Sequence, residues 1–124
     1  MCGGTRSTYW ETVADVVERA RRRHERFDPA GDDPTTAIDE GIRPIVAVYA
    51  RARRDGVALS AVERSLLEGV LNDWLAAYAG CVGRTIENSY SIHEVARTCR
   101  DYGTVVDAVE AIVAPRGDHT SSGP

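Results

Sequence analysis

The stretch that decides the fold is Ser60–Val82, SAVERSLLEGVLNDWLAAYAGCV, the longest predicted helix of the chain. Its apolar residues recur at steps of three and four, and they form a stripe wider than one helix–helix contact needs. The polar residues between them form a narrow strip. This pattern predicts a central helix with neighbours on two sides. The apolar stripe is Val62, Leu66, Leu67, Val70, Leu71, Trp74, Leu75, Tyr78 and Val82, and the polar strip is Glu63, Arg64, Glu68, Asn72 and Asp73.

Pairs of a Ser or Thr and an acidic residue three positions later divide the rest of the chain into helices. In such a capping box the hydroxyl accepts a hydrogen bond from the third backbone N–H of the helix, and the acid accepts one from the cap's own N–H. The acidic charge also favours the positive end of the helix dipole. Five such pairs precede apolar stripes: Thr8/Glu11, Thr36/Asp39, Ser60/Glu63, Ser91/Glu94 and Thr104/Asp107.

These signals predict helices on both sides of the central one, over Tyr9–Arg26, Ala37–Asp55, Ser91–Asp101 and Thr104–Ala114. Pro44 removes a backbone donor inside the second of them, so we expect a kink or break near Gly41–Pro44. Asp28–Pro34 is predicted to be a loop because it holds two prolines, a glycine and three aspartates. The spacing of the aspartates lacks the pattern of an EF-hand, which favours turn chemistry over calcium binding.

The predicted fold class is all-α: a compact bundle of about five helices around a central hydrophobic helix, with a C-terminal helical hairpin. A chain of 124 residues is long enough to bury roughly two-thirds of its unfolded surface in one domain. We expect a flexible N-terminus over 1–7, a single helical domain over 8–114 and a disordered tail over 115–124.

Composition narrows the class of protein. All 15 basic residues are arginine, which is typical of a GC-rich genome such as that of an actinobacterium or a halophilic archaeon. The net charge of −4 argues against nonspecific nucleic-acid binding by the whole surface. No apolar run approaches the roughly 20 residues of a membrane span, and the first residues do not resemble a signal peptide. We therefore predict a cytoplasmic protein that does not bind membranes.

No residues are predicted to be catalytic, to bind a cofactor or to hold a metal. The three cysteines, Cys2, Cys81 and Cys99, are odd in number and form no C-x-x-C pair, so neither a zinc site nor a disulfide framework is expected. Cys81 and Cys99 are predicted to be small buried hydrophobic residues. His93 and Cys99 lie about 240° apart on one helix, so they cannot form a nucleophile–base pair within it.

A basic stripe on the first helix is the candidate binding site for an anionic partner. Its members, which fall within an arc of about 100°, are Arg19, Arg22, Arg23 and Arg26. The arginines of 51–54 would widen the stripe if the first two helices pack side by side. An RNA backbone, an acidic protein or a nucleotide would suit such a surface. Acidic residues at 15, 18 and 25 flank it, which favours a solvated charged face instead.

Two further patterns have functional interpretations. Arg19–His24 resembles the R-x4-6-H motif of the helical HEPN ribonucleases, and the resemblance implies an RNA-cleaving pair. His24 also falls on the apolar stripe of its helix, which favours a packed histidine at the edge of the core. The closing hairpin has the layout of a DNA-reading helix–turn–helix. Its second helix carries only Asp107 and Glu110 as charges, so phosphate repulsion favours a plain helical hairpin.

Together these observations predict a small cytoplasmic protein-interaction or adaptor domain without catalytic activity. Its partner would be another protein or a second copy of the chain. The alternative is a nucleic-acid-associated regulator that uses the Arg stripe of the first helix. No cofactor is expected for either function.

Overall fold

The computed structural model of the chain describes residues 7–114. Within that range the protein is all-α and contains no strand, so the predicted all-α bundle is confirmed. The elements are α1 (Trp10–Arg26), α2 (Pro34–Ala37), a π-helical turn (Ile38–Ile42), α3 (Arg43–Arg54), α4 (Ala61–Cys81), α5 (Ile92–Tyr102) and α6 (Val105–Val113). The predicted tail 115–124, and the predicted N-terminal segment apart from Ser7, lie outside the described residues.

Helix α4 contacts α1, α2, the π-helical turn, α5 and α6. Its broad apolar stripe explains this, because Leu67, Leu71 and Trp74 are all fully buried, and the Trp74 ring by itself contacts both His24 of α1 and Gly41 of the π-helical turn. The two ends of the stripe were predicted wrongly. Val62 is 53% exposed and Val82 is 39% exposed, and Val82 lies just past the end of α4.

Three of the five predicted caps are present, at Ser60, Ser91 and Thr104. The two serines form complete capping boxes, each with the glutamate three residues later. The predicted cap of α1 is wrong. Tyr9, not Thr8, occupies the capping position, and its N–H donates to the Ser7 hydroxyl at 3.0 Å. The chain therefore turns into α1 one residue later than the Thr8/Glu11 spacing predicted.

The predicted cap at Thr36 is also wrong, because the helix begins one turn earlier. Asp33 caps α2, and its carboxylate accepts a hydrogen bond from the Thr35 N–H at 2.8 Å. Pro34 occupies the first helical position, where its fixed φ suits the helix and its missing N–H leaves no bond unmade. Asp39 instead accepts a hydrogen bond from the side chain of Arg43 at 3.3 Å.

The chain does not break between Gly41 and Pro44, but the helix is irregular there, as predicted. The irregularity is the π-helical turn Ile38–Ile42, which overlaps the predicted segment at Gly41 and Ile42, and Pro44 lies in the first turn of α3 that follows. Within this wider turn Gly41 lies against the indole of Trp74, and a Cβ at that position would overlap with the ring. The π-helical turn and Gly41 together make room for the largest side chain of the core.

Glu63 was assigned to the polar strip of α4, but it is fully buried. Its carboxylate accepts hydrogen bonds from the Ser60 N–H at 2.7 Å and from the Ser7 N–H at 3.0 Å. Burial alone would raise its pKa. The two backbone donors outweigh burial and hold the pKa of Glu63 below its ordinary value. Glu63 therefore joins the start of α4 to the segment before α1.

The loop before α5 is fixed to α4 by two side chains. Asn72 donates to the Tyr90 carbonyl and accepts from the Tyr90 N–H, both at 2.9 Å. Glu68 accepts a hydrogen bond from the Ile92 N–H, also at 2.9 Å, at the first turn of α5. These bonds determine where α5 starts relative to α4.

The acidic loop forms turns, as predicted, but it ends at Asp33 because Pro34 begins α2. Asp28 accepts a hydrogen bond from the Ala30 N–H at 3.0 Å, and its own N–H donates to Asp32 at 2.8 Å. Among residues 7–114, no three His, Cys, Asp or Glu side chains are grouped to hold a metal ion. In the same range no helix is long and apolar enough to cross a membrane.

Candidate functional site

The Arg stripe of α1 is exposed to solvent, and half of it is compensated by neighbouring acids. Arg19 pairs with Asp15, and Arg22 pairs with Glu18 at 3.3 Å, each one turn earlier on the helix. The side chains of Arg19 and Arg22 are 60% and 64% exposed, so these pairs add little stability. Arg23 and Arg26 are exposed, and neither forms an ion pair within the part of the chain that the structure describes.

The arginines of α3 do not widen this stripe. Tyr9, just before α1, donates a hydrogen bond to Asp55, just after α3, so the end of α3 lies beside the start of α1. The guanidinium of Arg51 lies 6.0 Å from the centre of the Tyr9 ring. Arg22 is about 20 Å further along α1, given a rise of about 1.5 Å per residue. The two groups of arginines are therefore separate surfaces.

His24 is a packed histidine at the edge of the core, as the apolar stripe predicted. Its ring centre lies 5.3 Å from that of Trp74 in an edge-to-face arrangement, and its Nε2 is 3.2 Å from the Asp73 carbonyl oxygen. Arg19 is engaged with Asp15 instead. The structure does not bring the two residues of the HEPN-like motif together as a reactive pair.

An open groove of about 530 Å³ lies between α3 and α5. Its floor contains Val46 and Tyr49 from α3 and Ala96 from α5, each less than a tenth exposed. Ala50, which is exposed, and the half-buried Cys99 line the groove above them. The floor of the groove is therefore largely apolar.

Three arginines rim this groove from opposite sides. Arg53 and Arg54 belong to α3, and Arg100 belongs to α5. All three are exposed, and within residues 7–114 none forms an ion pair. Guanidinium groups present planar donor pairs that match carboxylate and phosphate oxygens. The groove therefore offers cationic donors on both walls above an apolar floor.

Tyr49 orients one wall against the other. Its hydroxyl oxygen lies 3.0 Å from His93 Nδ1 on α5, and Arg53 donates to the same oxygen at 3.4 Å. The Arg53 guanidinium lies 5.9 Å from the centre of the Tyr49 ring, within the range of a cation–π contact. One buried aromatic side chain thus joins α3, α5 and a rim arginine.

The two described cysteines are free thiols, and both are half-buried rather than fully buried as predicted. Burial raises the pKa of Cys99, although the charge of Arg43 opposes this. Burial also raises the pKa of Cys81, and the nearby carboxylates of Asp32 and Asp33 add to that effect. Both shifts favour the thiol over the reactive thiolate.

No pattern in the sequence predicts the groove. The sequence predicts Arg53 and Arg54 as extensions of the α1 stripe and predicts no role for Arg100. Arg100 is 46 and 47 residues away from them in the chain, so no local spacing could pair them. The available signal was the run of arginines at the end of α3, a concentration of charge that a helix end alone does not require.

The fold and this site define a small all-α bundle with an open, arginine-rimmed groove. The chain belongs to the family described as Domain of unknown function (DUF8055), whose model matches residues 7–114. Neither the comparison with curated proteins nor that with solved structures gave a match.

Proposed function

We propose that this protein is a non-catalytic protein-interaction or adaptor domain that binds its partner in the groove between α3 and α5. The observation that carries the proposal is the meeting of Arg53, Arg54 and Arg100 above an apolar floor, with no ion pair to any of them in the described residues. Interfaces commonly combine a buried apolar centre with a polar rim in which arginine is enriched.

A steric block of the groove tests this proposal. Ala50 is exposed and lines the groove, so Ala50→Trp would fill it without entering the core. Ala47→Trp is the matched control, because Ala47 is exposed on the same helix but does not line the groove. We expect a protein captured from an extract of the native host to be retained by wild type and Ala47→Trp, and lost from Ala50→Trp. Equal capture by all three would show that the groove is not the binding surface.

A nucleic-acid-associated regulator is the second candidate. It is favoured by the exposure of Arg23 and Arg26, which form no ion pair within residues 7–114. In that case wild type would bind single-stranded RNA or duplex DNA at low salt, and added salt would weaken the binding steeply. Changing all four stripe arginines to Ser would abolish it. Absence of low-salt binding by wild type would eliminate this candidate.

The partner is also tested as a second copy of the chain, and the proposed location is the cytoplasm. Light scattering across a concentration series measures whether a second copy is the partner, and Ala50→Trp should then shift the mass to the monomer. A cytoplasmic location is part of the same proposal. Fractionation of native cells tests it directly.

A further inference from the structure

We infer that the occupant of the groove is an acidic peptide segment that carries a bulky apolar side chain. This inference rests on the proposed function and names the chemistry of its partner. The carboxylates would pair with the rim arginines, and the apolar side chain would contact the floor formed by Val46, Tyr49 and Ala96. Each part follows from a different property of the groove.

The acidic character of the peptide is inferred from the distribution of arginines. The chain has 19 acidic and 15 basic residues and a net charge of −4, so its overall charge does not attract an acidic partner. At the groove three guanidinium groups lie on two walls without an ion pair to any described residue. Acidic side chains are therefore attracted to this place and in a defined orientation.

The apolar side chain of the peptide is inferred from the apolar floor of the groove. Water above Val46 and Ala96 gains no strong hydrogen bond from their side chains, so displacing it with an apolar group is favourable. A volume of about 530 Å³ lies in the range of sites that hold drug-sized ligands, about 300–1,000 Å³. Because the groove is open, a peptide chain can lie across it while one or two of its side chains enter.

A nucleic acid fits the groove less well. Single strands bind along exposed aromatic faces on which bases stack, together with a track of cations for successive phosphates. Tyr49, the aromatic residue of the lining, is only 6% exposed. Phosphates would also have to lie over an apolar floor, where they lose hydration without gaining donors.

Peptide display with the folded full-length chain tests the inference. A random peptide library is selected on wild type and counter-selected on Ala50→Trp, so that retained sequences depend on the groove. We expect them to be enriched in Asp and Glu next to Leu, Phe, Met or Trp. Groove-dependent sequences that are neutral or basic would overturn the inference while leaving the proposed function intact. Absence of any groove-dependent sequence would also overturn it, and capture of the native partner would then decide the proposed function separately.

Neutralising the rim arginines tests their role, and a control variant with the same net charge accompanies it. Arg53→Gln/Arg54→Gln/Arg100→Gln removes the rim, and a triple Gln variant at Arg21, Arg64 and Arg97 removes three exposed arginines that do not line the groove. Circular dichroism and thermal melting establish that both remain folded. The affinity of a selected peptide, measured by fluorescence anisotropy, should fall at least tenfold for the rim variant. A smaller fall, or an equal fall in both variants, would overturn the role of the rim.

Cys99 reports whether the peptide occupies the groove itself. In a Cys2→Ser/Cys81→Ser background, alkylation of Cys99 can be followed by mass spectrometry, because this half-buried thiol lines the groove. A selected peptide at saturation should slow alkylation at least fivefold, and a version with Gln and Asn in place of its acids should not at the same concentration. An unchanged alkylation rate with the bound acidic peptide would place that peptide elsewhere and overturn the inference.

Discussion

Trp74 is closed off from solvent by its neighbours, whereas between α3 and α5 the chain leaves an open groove of about 530 Å³. The indole of Trp74 is fully buried, its N–H donates to the Ala20 carbonyl at 3.1 Å, and the rings of His24 and Phe27 lie edge-on to it. The rim of the groove is the opposite case. Its three arginines are exposed and lack ion pairs among the described residues.

The difference separates the residues that stabilise the fold from those available to a partner. Within residues 7–114 every buried side-chain nitrogen and oxygen has a hydrogen-bond partner, so no polar side-chain atom of that range is buried without one. By contrast, three exposed charged side chains that form no ion pair within that range, the rim arginines, lie together on the surface beside the apolar lining of the groove. Substitutions at the Trp74 junction should therefore change stability, and substitutions at the groove rim should change binding.

The largest effect is expected at Trp74 itself. Trp74→Ala removes a fully buried ring and the hydrogen bond from its N–H to the Ala20 carbonyl, which should lower the free energy of unfolding by about 3–5 kcal/mol. Asp73→Ala changes an exposed neighbour and should have little effect. Chemical denaturation of both variants measures the contrast, and similar midpoints for them would contradict the packing described for α4.

Gly41→Ala should follow, because its Cβ would overlap with the Trp74 indole. Overpacking of this kind typically costs about 1–3 kcal/mol, and more where the neighbour cannot move. Gly69→Ala is the matched control in α4, where no atom lies within 4 Å of the added carbon. It should stabilise the helix by about 0.5–1 kcal/mol. Thermal melting should therefore shift in opposite directions for the two variants, and a shift in the same direction would be inconsistent with the close contact.

Glu63 links stability to pH. Its folded pKa lies below the ordinary value of 4.5, so below that value the unfolded chain takes up a proton first and wild type loses stability as the pH falls. The contribution is fully present well above pH 4.5 and is lost as the pH drops through the folded pKa. Glu63→Gln cannot titrate, so its melting temperature should fall less between about pH 5 and pH 3. Glu87→Gln, at an exposed position, should keep the wild-type slope, and parallel curves for all three proteins would rule this role out.

The capping positions give a smaller effect. Ser60→Ala removes the hydroxyl that accepts the Glu63 N–H at 3.1 Å and should cost about 1 kcal/mol. Thr8→Ala should cost much less, because Tyr9 and not Thr8 occupies the capping position of α1. Urea titrations measure both, and a larger loss for Thr8→Ala would restore the cap that the sequence predicted there.

The smallest effect on stability is expected at the rim. Arg53→Gln/Arg54→Gln/Arg100→Gln breaks no ion pair within residues 7–114. It does remove the 3.4 Å hydrogen bond and the cation–π contact between the exposed Arg53 and Tyr49, which should cost about 0.5 kcal/mol. Its unfolding curve should therefore lie close to that of wild type. A loss comparable to Gly41→Ala would mean that the arginines are structural, and the contrast between the two regions would fail.

The sequence predicted the helices well where the signal is local. The alternating steps of three and four and the caps at Ser60 and Ser91 placed α4 and α5 to within about a residue, because both depend only on neighbouring positions. The start of α2 was missed since Asp33 and Pro34 were assigned to the loop that precedes it. Pro in the first helical turn is favourable, but the same residue also ends loops, so its sequence context was ambiguous.

The remaining errors have a tertiary cause. The burial of Glu63 depends on the Ser7 N–H, 56 residues away, and no pattern within α4 indicates that donor. The π-helical turn places Gly41 against Trp74, a contact between separate elements. The groove likewise requires α3 and α5 to meet through Tyr49 and His93. Contacts of this kind, between residues far apart in the chain, leave no periodic pattern in the sequence from which they could be predicted.

The π-helical turn also sets the rotational phase of α3. Successive residues of an α-helix are about 100° apart around the axis, and a π-helical turn holds an extra residue. Deleting one residue within Ile38–Ile42 would restore α-helical spacing and rotate everything from Arg43 onward by about 100° relative to α2. Arg53 and Arg54 would then turn away from Arg100. A single extra residue beside the core thus determines which side chains of α3 face the groove.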